Sequence, residues 1–139
     1  MSLRFLLDTN IVSEPLRQQP SPKVLARLQR HSAEIAIPAL VWHELWFGCQ
    51  RLPPSARRAA IEAYLNDVVA VTMPILPYDE HAAEWHAGER ARLAALGQTP
   101  PFVDGQIAAV AHVNELSLVT LNAPDYRGFA ALRITNWGE

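Results

Sequence analysis

The sequence predicts an α/β fold in which a central, mostly parallel sheet lies between two layers of helices. Residues 5–7 form a continuous apolar run that ends at Asp8, and such a run is typical of a strand buried on both faces of a parallel sheet. Along the chain, short apolar strands alternate with helical patterns, and no repeat or linker interrupts them. Because half of the 139 residues are apolar, we expect residues 1–139 to form one domain with a single core.

Each element is predicted from a local pattern. Apolar runs indicate the strands, whereas helices are indicated by apolar residues at helical spacing and by start signals such as Ser21-Pro22 and Pro38. Helix 39–48 is apolar on nearly all sides, so we expect it to lie in the core or against a partner, where Glu44 would be out of place. The predicted strands are 5–7, 34–37, 68–76, 116–120 and 132–134, and the predicted helices are 10–16, one starting at 22, 39–48, 55–64, 80–96 and 102–114.

The overall charge excludes a broad nucleic-acid-binding surface. The net charge is -2, and only one of the 12 basic residues, Lys23, is a lysine. A nucleic acid would therefore have to be held by local features rather than by a general cationic field. The single cysteine, Cys49, excludes an internal disulfide, and no signal peptide or membrane-length apolar run is present. We therefore expect a cytoplasmic protein that makes no contact with a membrane.

Four acidic residues are predicted to meet at the carboxyl edge of the sheet, where ligands bind in open parallel sheets. Asp8 and Asp125 each follow a predicted strand. Asp104 lies in the first turn of a helix, and Glu44 lies on the helix that leaves the second strand. Clustered carboxylates repel one another unless a cation compensates, and hard oxygen ligands suit Mg²⁺ or Mn²⁺. Such a site could polarise a phosphodiester and generate an attacking hydroxide.

Each of these acids also has a purely structural interpretation. Asp8 could cap the helical turn that follows it, and Asp104 could simply favour the positive end of a helix. Asp125 follows Pro124 in a turn, where aspartate is ordinary. For Glu44 a structural role is harder to find, because no arginine or lysine lies within one helical turn of it.

Two further acids receive structural interpretations. Asp79 precedes Glu80 and is interpreted as a helix cap. Glu89 interrupts an apolar helix face, and it could either pair with Arg92 or act as an auxiliary acid near a metal. We favour the ion pair with Arg92.

Four sequence blocks resemble the signature blocks of the PIN domain, in the order and spacing of that family. The start at residues 13–16 (SEPL) and the end at residues 134–137 (ITNW) are most similar to its VapC and FitB-like branch, the ribonuclease half of type II toxin-antitoxin pairs. The four blocks are residues 6–10 (LLDTN), 44–48 (ELWFG), 104–109 (DGQIAA) and 120–126 (TLNAPDY).

The resemblance implies a PIN-like α/β/α fold and a Mg²⁺- or Mn²⁺-dependent endoribonuclease toxin that cleaves RNA. It also implies a homodimer that is held inactive by a VapB-like antitoxin, whose C-terminal segment enters the active-site groove. Carried over by position, Asp8, Glu44 and Asp104 match the catalytic, metal-binding acids of the family.

The fourth acid is left open by the resemblance. Relatives use either an aspartate at the position of Asn122 or one at the position of Asp125. We favour Asp125 as the catalytic and metal-binding residue, with Asn122 as a neutral contact to water or ligand. Thr9, Asn10 and Thr120 are expected to contact the substrate or to support the acids.

Two other functions are alternatives to a nuclease. A phosphatase with an aspartate nucleophile, of the HAD type, needs a second aspartate where this chain has Asn10, which argues against it. The alternative is a catalytically degenerate PIN domain that binds protein or nucleic acid, with Trp42, Trp46 and Phe47 as exposed anchors. Metal-dependent RNA cleavage that EDTA abolishes distinguishes an enzyme from such a binding module.

Overall fold

The computed structural model describes residues 2–139, whose centre is a sheet of five strands that all run parallel. The strand order is β3-β2-β1-β4-β5, and helices flank the sheet, so the expected three-layer α/β/α fold is confirmed. The strands are β1 (Phe5–Leu7), β2 (Ile35–Pro38), β3 (Ile75–Leu76), β4 (Ser117–Val119) and β5 (Ile134–Thr135).

Seven α-helices are found within residues 2–139, together with three helical turns of the 3-10 or π type. The helices are α1 (Thr9–Val12), α2 (Pro22–Arg30), α3 (Ala39–Gln50), α4 (Ala56–Tyr64), α5 (Ala70–Thr72), α6 (Glu80–Ala95) and α7 (Phe102–Val113). The helical turns are the 3-10 turns Glu14–Leu16 and Ala123–Tyr126 and the π-helical turn Leu65–Val69.

Strand β1 is the middle strand of the sheet. Phe5 lies opposite Ile35 of β2 on one side and Ser117 of β4 on the other. Leu6 and Leu7 are completely buried, as the apolar run predicts for a strand covered on both faces. Strand β1 therefore ends, with Asp8, in the middle of the carboxyl edge of the sheet.

The prediction of a long strand over residues 68–76 is wrong. Helix α4 continues through a π-helical turn into α5, and only Ile75–Leu76 forms a strand. Leu65 and Val69 are buried and stand four residues apart, whereas Val68 and Val71 are exposed. That spacing places the apolar contacts on one face of a helix, and it outweighs the strand preference of the valines. The last strand is also displaced from the prediction, to Ile134–Thr135.

Helix α3 is apolar in composition, but it is not buried on all sides. Val41, Leu45 and Cys49 face the core, and they follow one another at intervals of four residues. On the other faces Trp46 is partly buried, whereas Phe47 is 56% exposed. The core therefore covers only part of α3, and a partner that covers the exposed Phe47 ring stays a prediction.

No helix within residues 2–139 is both long enough and apolar enough to cross a membrane.

Candidate active site

A cavity of about 330 Å³ lies at the carboxyl edge of the sheet. The acids predicted from the sequence all contribute to its wall, so the fold brings together side chains that are up to 117 positions apart in the sequence (125 − 8). The side chains that line it are Asp8, Thr9, Asn10, Glu44, Val103, Asp104, Ile107, Asn122, Asp125 and Tyr126.

Asp8 is the most firmly held of the four acids. Its Oδ1 accepts a hydrogen bond from the backbone N–H of Thr9 at 2.8 Å, so Asp8 caps α1 as the structural interpretation requires. Its Oδ2 accepts a hydrogen bond from the hydroxyl of Thr120 at 2.9 Å. Asp8 is only 8% exposed and still lines the cavity, so one carboxylate both caps a helix and faces the candidate site.

Thr120 connects two strands at the site. It is completely buried, and its hydroxyl donates to Asp8 while accepting a hydrogen bond from the backbone N–H of Asn122 at 3.0 Å. This single hydroxyl therefore fixes both the Asp8 carboxylate and the start of the turn that carries Asn122. Thr120 does not line the cavity, so its role is to support Asp8.

Asp104 carries the clearest electrostatic sign of a functional cluster. It lies in the first turn of α7, where the helix dipole favours a negative charge. Burial nevertheless raises its pKa above the ordinary value, and the charges of Asp8 and Asp125 raise it further. The nearby hydroxyl of Tyr126 opposes this rise in the pKa of Asp104. The negative charges of Asp8 and Asp125 therefore act on Asp104 across the cavity.

Glu44 reaches the cavity from α3, but the argument that singled it out is wrong. The sequence indicated a carboxylate inside an apolar helix, whereas Glu44 is exposed and borders the cavity. The apolar contacts of α3 are made by other faces of the helix, so Glu44 avoids the desolvation penalty of a buried charge. Its position on the cavity wall, rather than its burial, makes it a candidate ligand.

Asn122 and Asp125 both lie on the cavity wall, at either end of the 3-10 turn that follows β4. The backbone N–H of Asp125 donates to the carbonyl of Asn122 at 3.0 Å, which closes the turn. Both side chains are exposed. Only Asp125 brings a charge that acts on Asp104, so Asp125 remains the better candidate for the fourth acid.

The sequence model of the PIN domain matches residues 5–127. The chain belongs to the PIN-domain family. Toxin FitB of Neisseria gonorrhoeae is 33% identical over 91% of this chain and 92% of its own length. The tRNA(fMet)-specific endonuclease VapC of Shigella flexneri is 30% identical over 97% of this chain and 98% of its own length.

Solved structures support the same assignment. The crystal structure of FitAcB from Neisseria gonorrhoeae superposes with a TM-score of 0.88 at 30% identity, covering 96% of this chain and 97% of that chain. VapBC-5 from Mycobacterium tuberculosis, a member of the VapBC family of toxin-antitoxin systems, gives a TM-score of 0.64 at 26% identity, with 97% and 96% covered. The VapC and FitB-like branch of the PIN family, suggested by the sequence, is thereby confirmed.

Tyr126 is a residue of this PIN domain whose role the sequence did not reveal. It stands in the fourth block, directly after Asp125, but nothing in that position predicts a contact with the first strand. Its hydroxyl donates a 3.4 Å hydrogen bond to Oδ2 of Asp8, and burial together with the charges of Asp8 and Asp104 raises its pKa. Tyr126 is therefore a neutral donor that supports the buried acids.

An ion pair attaches the segment that follows the PIN domain's fourth block to helix α6. Glu89 accepts hydrogen bonds from Arg92 at 2.9 and 3.0 Å, which confirms the favoured pairing. Glu89 also accepts a hydrogen bond from the backbone N–H of Ala130 at 2.6 Å, and Arg92 donates to the carbonyl of Gly128 at 2.7 Å. We call Glu89 and Arg92 the α6 clamp, because they hold the backbone that directly follows Tyr126.

Gly105 allows helices α6 and α7 of the PIN domain to approach closely next to Asp104. A Cβ atom at this position would overlap the imidazole ring of His86, which is buried and lies within hydrogen-bond distance of the Tyr78 hydroxyl at 3.0 Å. A larger residue would therefore push the first turn of α7 away from α6. The glycine after Asp104 is required by packing.

The donor set of this PIN domain suits a hard divalent cation. Within residues 2–139, no three Asp, Glu, His or Cys side chains stand close enough together to hold a metal ion by themselves. Mg²⁺ keeps several waters and uses few protein carboxylates, so it does not need three converging ligands. The pKa of Asp104 is raised first by burial and then by the charges of Asp8 and Asp125, and a cation in the cavity would offset both effects, so the residues fit such an ion.

Proposed function

We propose that this PIN-domain chain is a Mg²⁺- or Mn²⁺-dependent endoribonuclease and the toxin of a type II toxin-antitoxin pair. The observation that supports this most directly is one cavity lined by Asp8, Glu44, Asp104 and Asp125, in which burial and then the like charges of Asp8 and Asp125 raise the pKa of Asp104. The relatives named a toxin and a tRNA(fMet)-specific endonuclease support the same activity. We propose that residues 1–139 form one ribonuclease domain and that it acts in the cytoplasm.

The proposed ligands of the cation are Asp8, Glu44, Asp104 and Asp125. When bound, the ion would supply Lewis acidity toward a phosphodiester and a hydroxide nucleophile near neutral pH. Thr9, Thr120 and Tyr126 hold the Asp8 carboxylate in a fixed orientation. Such support matters because the partners of a ligating carboxylate set its direction and basicity.

Asn10 and Asn122 are proposed to contact the RNA or a water. Both are uncharged and line the cavity beside the acids. An amide offers donors to a phosphate oxygen and an acceptor to a water molecule, which a further carboxylate does not. These two side chains can therefore approach a polyanion without adding to the repulsion.

The proposed partners are a VapB-like antitoxin and a second copy of the chain. The antitoxin is proposed because the chain is similar over nearly its whole length to VapBC-5, described as a member of a toxin-antitoxin family. The homodimer is supported by Phe47, whose ring is 56% exposed on α3. Light scattering of the native chain tests the homodimer, which a monomer would contradict. The variant Phe47→Glu tests whether this ring lies in the contact, and an unchanged dimer would show that the contact lies elsewhere.

The decisive experiment is cleavage of RNA by the purified chain. We expect cleavage with Mg²⁺ or Mn²⁺, its loss in EDTA, and its recovery when excess metal is added back. The matched control is Asp104→Asn, prepared in the same way, which should show no cleavage and so exclude a contaminating nuclease. Cleavage that persists in EDTA would contradict the metal dependence, and a folded chain that never cleaves RNA would favour the degenerate binding module.

A further inference from the structure

A groove leads away from the acidic cavity between α1, α3 and α4. A second cavity of about 290 Å³ shares Thr9 and Glu44 with the acidic cavity. A third cavity of about 390 Å³ shares Leu16, Arg17 and Arg57 with the second. The three cavities therefore adjoin one another, with carboxylates at one end and two arginines at the other.

Arg17 is held in place at the basic end of this groove. Its Nη1 donates to both carboxylate oxygens of Glu14 at 3.3 Å, and Glu14 is 2% exposed. Glu14 also accepts a hydrogen bond from the backbone N–H of Ser21 at 2.9 Å, which fixes the carboxylate itself. These contacts do not use the Nε and Nη2 donors of Arg17, whose side chain is 64% exposed. A guanidinium fixed in this way loses little freedom when it binds a phosphate.

Arg57 stands opposite, in the first turn of α4. A cation is disfavoured there by the helix dipole, so Arg57 does not stabilise its own helix. The ion pairs formed within residues 2–139 do not include Arg57, although its neighbour Arg58 pairs with Glu62. The position of Arg57 is thus unexplained by the fold and suits an anionic ligand.

We propose that this groove holds the single-stranded RNA segment on one side of the scissile phosphate, with Arg17 and Arg57 each binding a backbone phosphate. The inference rests on the proposed ribonuclease function. An acidic site repels a polyanion, and the net charge of -2 provides no general attraction. Basic side chains beside the acids would therefore help to hold the strand, in addition to the proposed metal ion.

Between the two ends, the groove has both apolar and hydrogen-bonding walls. Leu45 and Ile61 line the middle part, and Gln18 and Gln19 lie beside the arginines. Apolar walls can pack against bases or riboses, while the amides can contact base edges or 2′-hydroxyl groups. A chain of alternating phosphates and bases complements this mixture better than an apolar helix would.

The test measures RNA binding in the cleavage-deficient Asp104→Asn background, so that the strand stays intact. Fluorescence anisotropy with a labelled single-stranded oligoribonucleotide of mixed sequence gives the affinity at several salt concentrations. We expect Arg57→Gln to weaken binding roughly three- to tenfold at low salt and to reduce the slope of log K against log[salt] by about 0.7, the value for one phosphate contact on a single strand.

The matched control is Arg30→Gln, which removes an equally exposed arginine from a separate cavity near the end of α2. It should leave both affinity and salt slope unchanged. Arg17→Lys keeps the charge beside the buried Glu14 and so protects the fold, but it removes the planar fork, and it should weaken binding less than Arg57→Gln does.

Each outcome decides between the possible occupants. If Arg57→Gln binds RNA as the parent does while the native chain cleaves RNA, the groove is not the RNA path and only this inference fails. If Arg57→Gln binds RNA normally but, made in the cleavage-competent chain, is no longer neutralised by the antitoxin, the groove belongs to the antitoxin instead. If the native chain neither binds nor cleaves RNA, the proposed function fails as well.

Discussion

The four acids form two pairs that differ in their surroundings. Asp8 is almost completely buried and Asp104 is half-buried, whereas Glu44 and Asp125 are exposed. Hydrogen bonds from Thr9, Thr120 and Tyr126 orient Asp8 before any ligand arrives. One half of the site is therefore built into the core, while the other half is exposed to solvent at the mouth of the cavity. Changes in the buried pair should therefore affect both fold and catalysis, and changes in the exposed pair should affect metal or substrate binding alone.

The largest effect is expected for Asp104→Asn. Cleavage should fall by more than about 100-fold, which exceeds the effect typical of a merely supporting residue. Because the pKa of Asp104 is raised, its ionisation destabilises the metal-free fold as the pH rises through the aspartate range. The amide removes that penalty, so Asp104→Asn should melt at least as high as the native chain at neutral pH. The advantage should shrink at acidic pH, where the native carboxyl is protonated. An unfolded variant, or one with native turnover, would contradict this account.

Thr120→Val tests whether the buried half is oriented by its hydrogen bonds. The change keeps the side-chain shape but leaves Asp8 without its 2.9 Å donor and the N–H of Asn122 without its acceptor. We expect a loss of about 1–3 kcal/mol in the free energy of unfolding and roughly a tenfold loss of cleavage. Thr72→Val is a matched control, since that hydroxyl bonds only to the carbonyl of Val68 on an exposed helix. Equal losses of stability and of cleavage in the two variants would show that the hydroxyl of Thr120 does not orient Asp8.

Asp125→Asn, compared with Asn122→Ala, separates the two candidates for the fourth ligand. Asp125 brings a full charge, whereas an amide oxygen binds Mg²⁺ weakly, so Asp125→Asn should raise the Mg²⁺ concentration for half-maximal cleavage several-fold more. Metal titrations of the two proteins measure this directly. A silent Asp125→Asn beside an inactive Asn122→Ala would assign the role to Asn122.

The smallest effect on the fold is expected for Glu44→Gln. The side chain is exposed, so its melting temperature should match that of the native chain, with a change in stability within about 0.5 kcal/mol. Even at the dielectric constant of water, its attraction to a divalent cation about 4 Å away is on the order of 2 kcal/mol, so the metal requirement should rise by about thirtyfold. A marked loss of stability would show that Glu44 does not belong to the exposed pair.

Much of this arrangement could be predicted because it depends on local patterns. A buried strand that ends at Asp8, and a helix whose first turn carries Asp104, are properties of a few neighbouring residues. The cap at Asp79 is likewise local, and its carboxylate accepts a hydrogen bond from the N–H of Ala82 at 2.9 Å. The topology of a parallel sheet then places the ends of its strands at one edge.

The rest depends on contacts that no local pattern contains. Tyr126 reaches Asp8 across 118 positions of sequence, so its role follows only from the folded chain. The expectation that Glu44 is buried is wrong, because composition shows that α3 is apolar but not which of its faces meets the core. The valines near residue 70 favour a strand by propensity, yet the spacing of Leu65 and Val69 continues a helix.

The α6 clamp has a consequence for the motion of the chain. The N–H of Ala130 lies in an exposed segment without regular structure, where amide hydrogens usually exchange quickly with water. Its hydrogen bond to the Glu89 carboxylate, which is itself held by Arg92, means that exchange must wait for this hydrogen bond to break. Protection of this one amide therefore measures how often the segment behind Asp125 and Tyr126 detaches from α6. Hydrogen exchange at Ala130 would report the opening of the catalytic edge while the sheet beneath it stays intact.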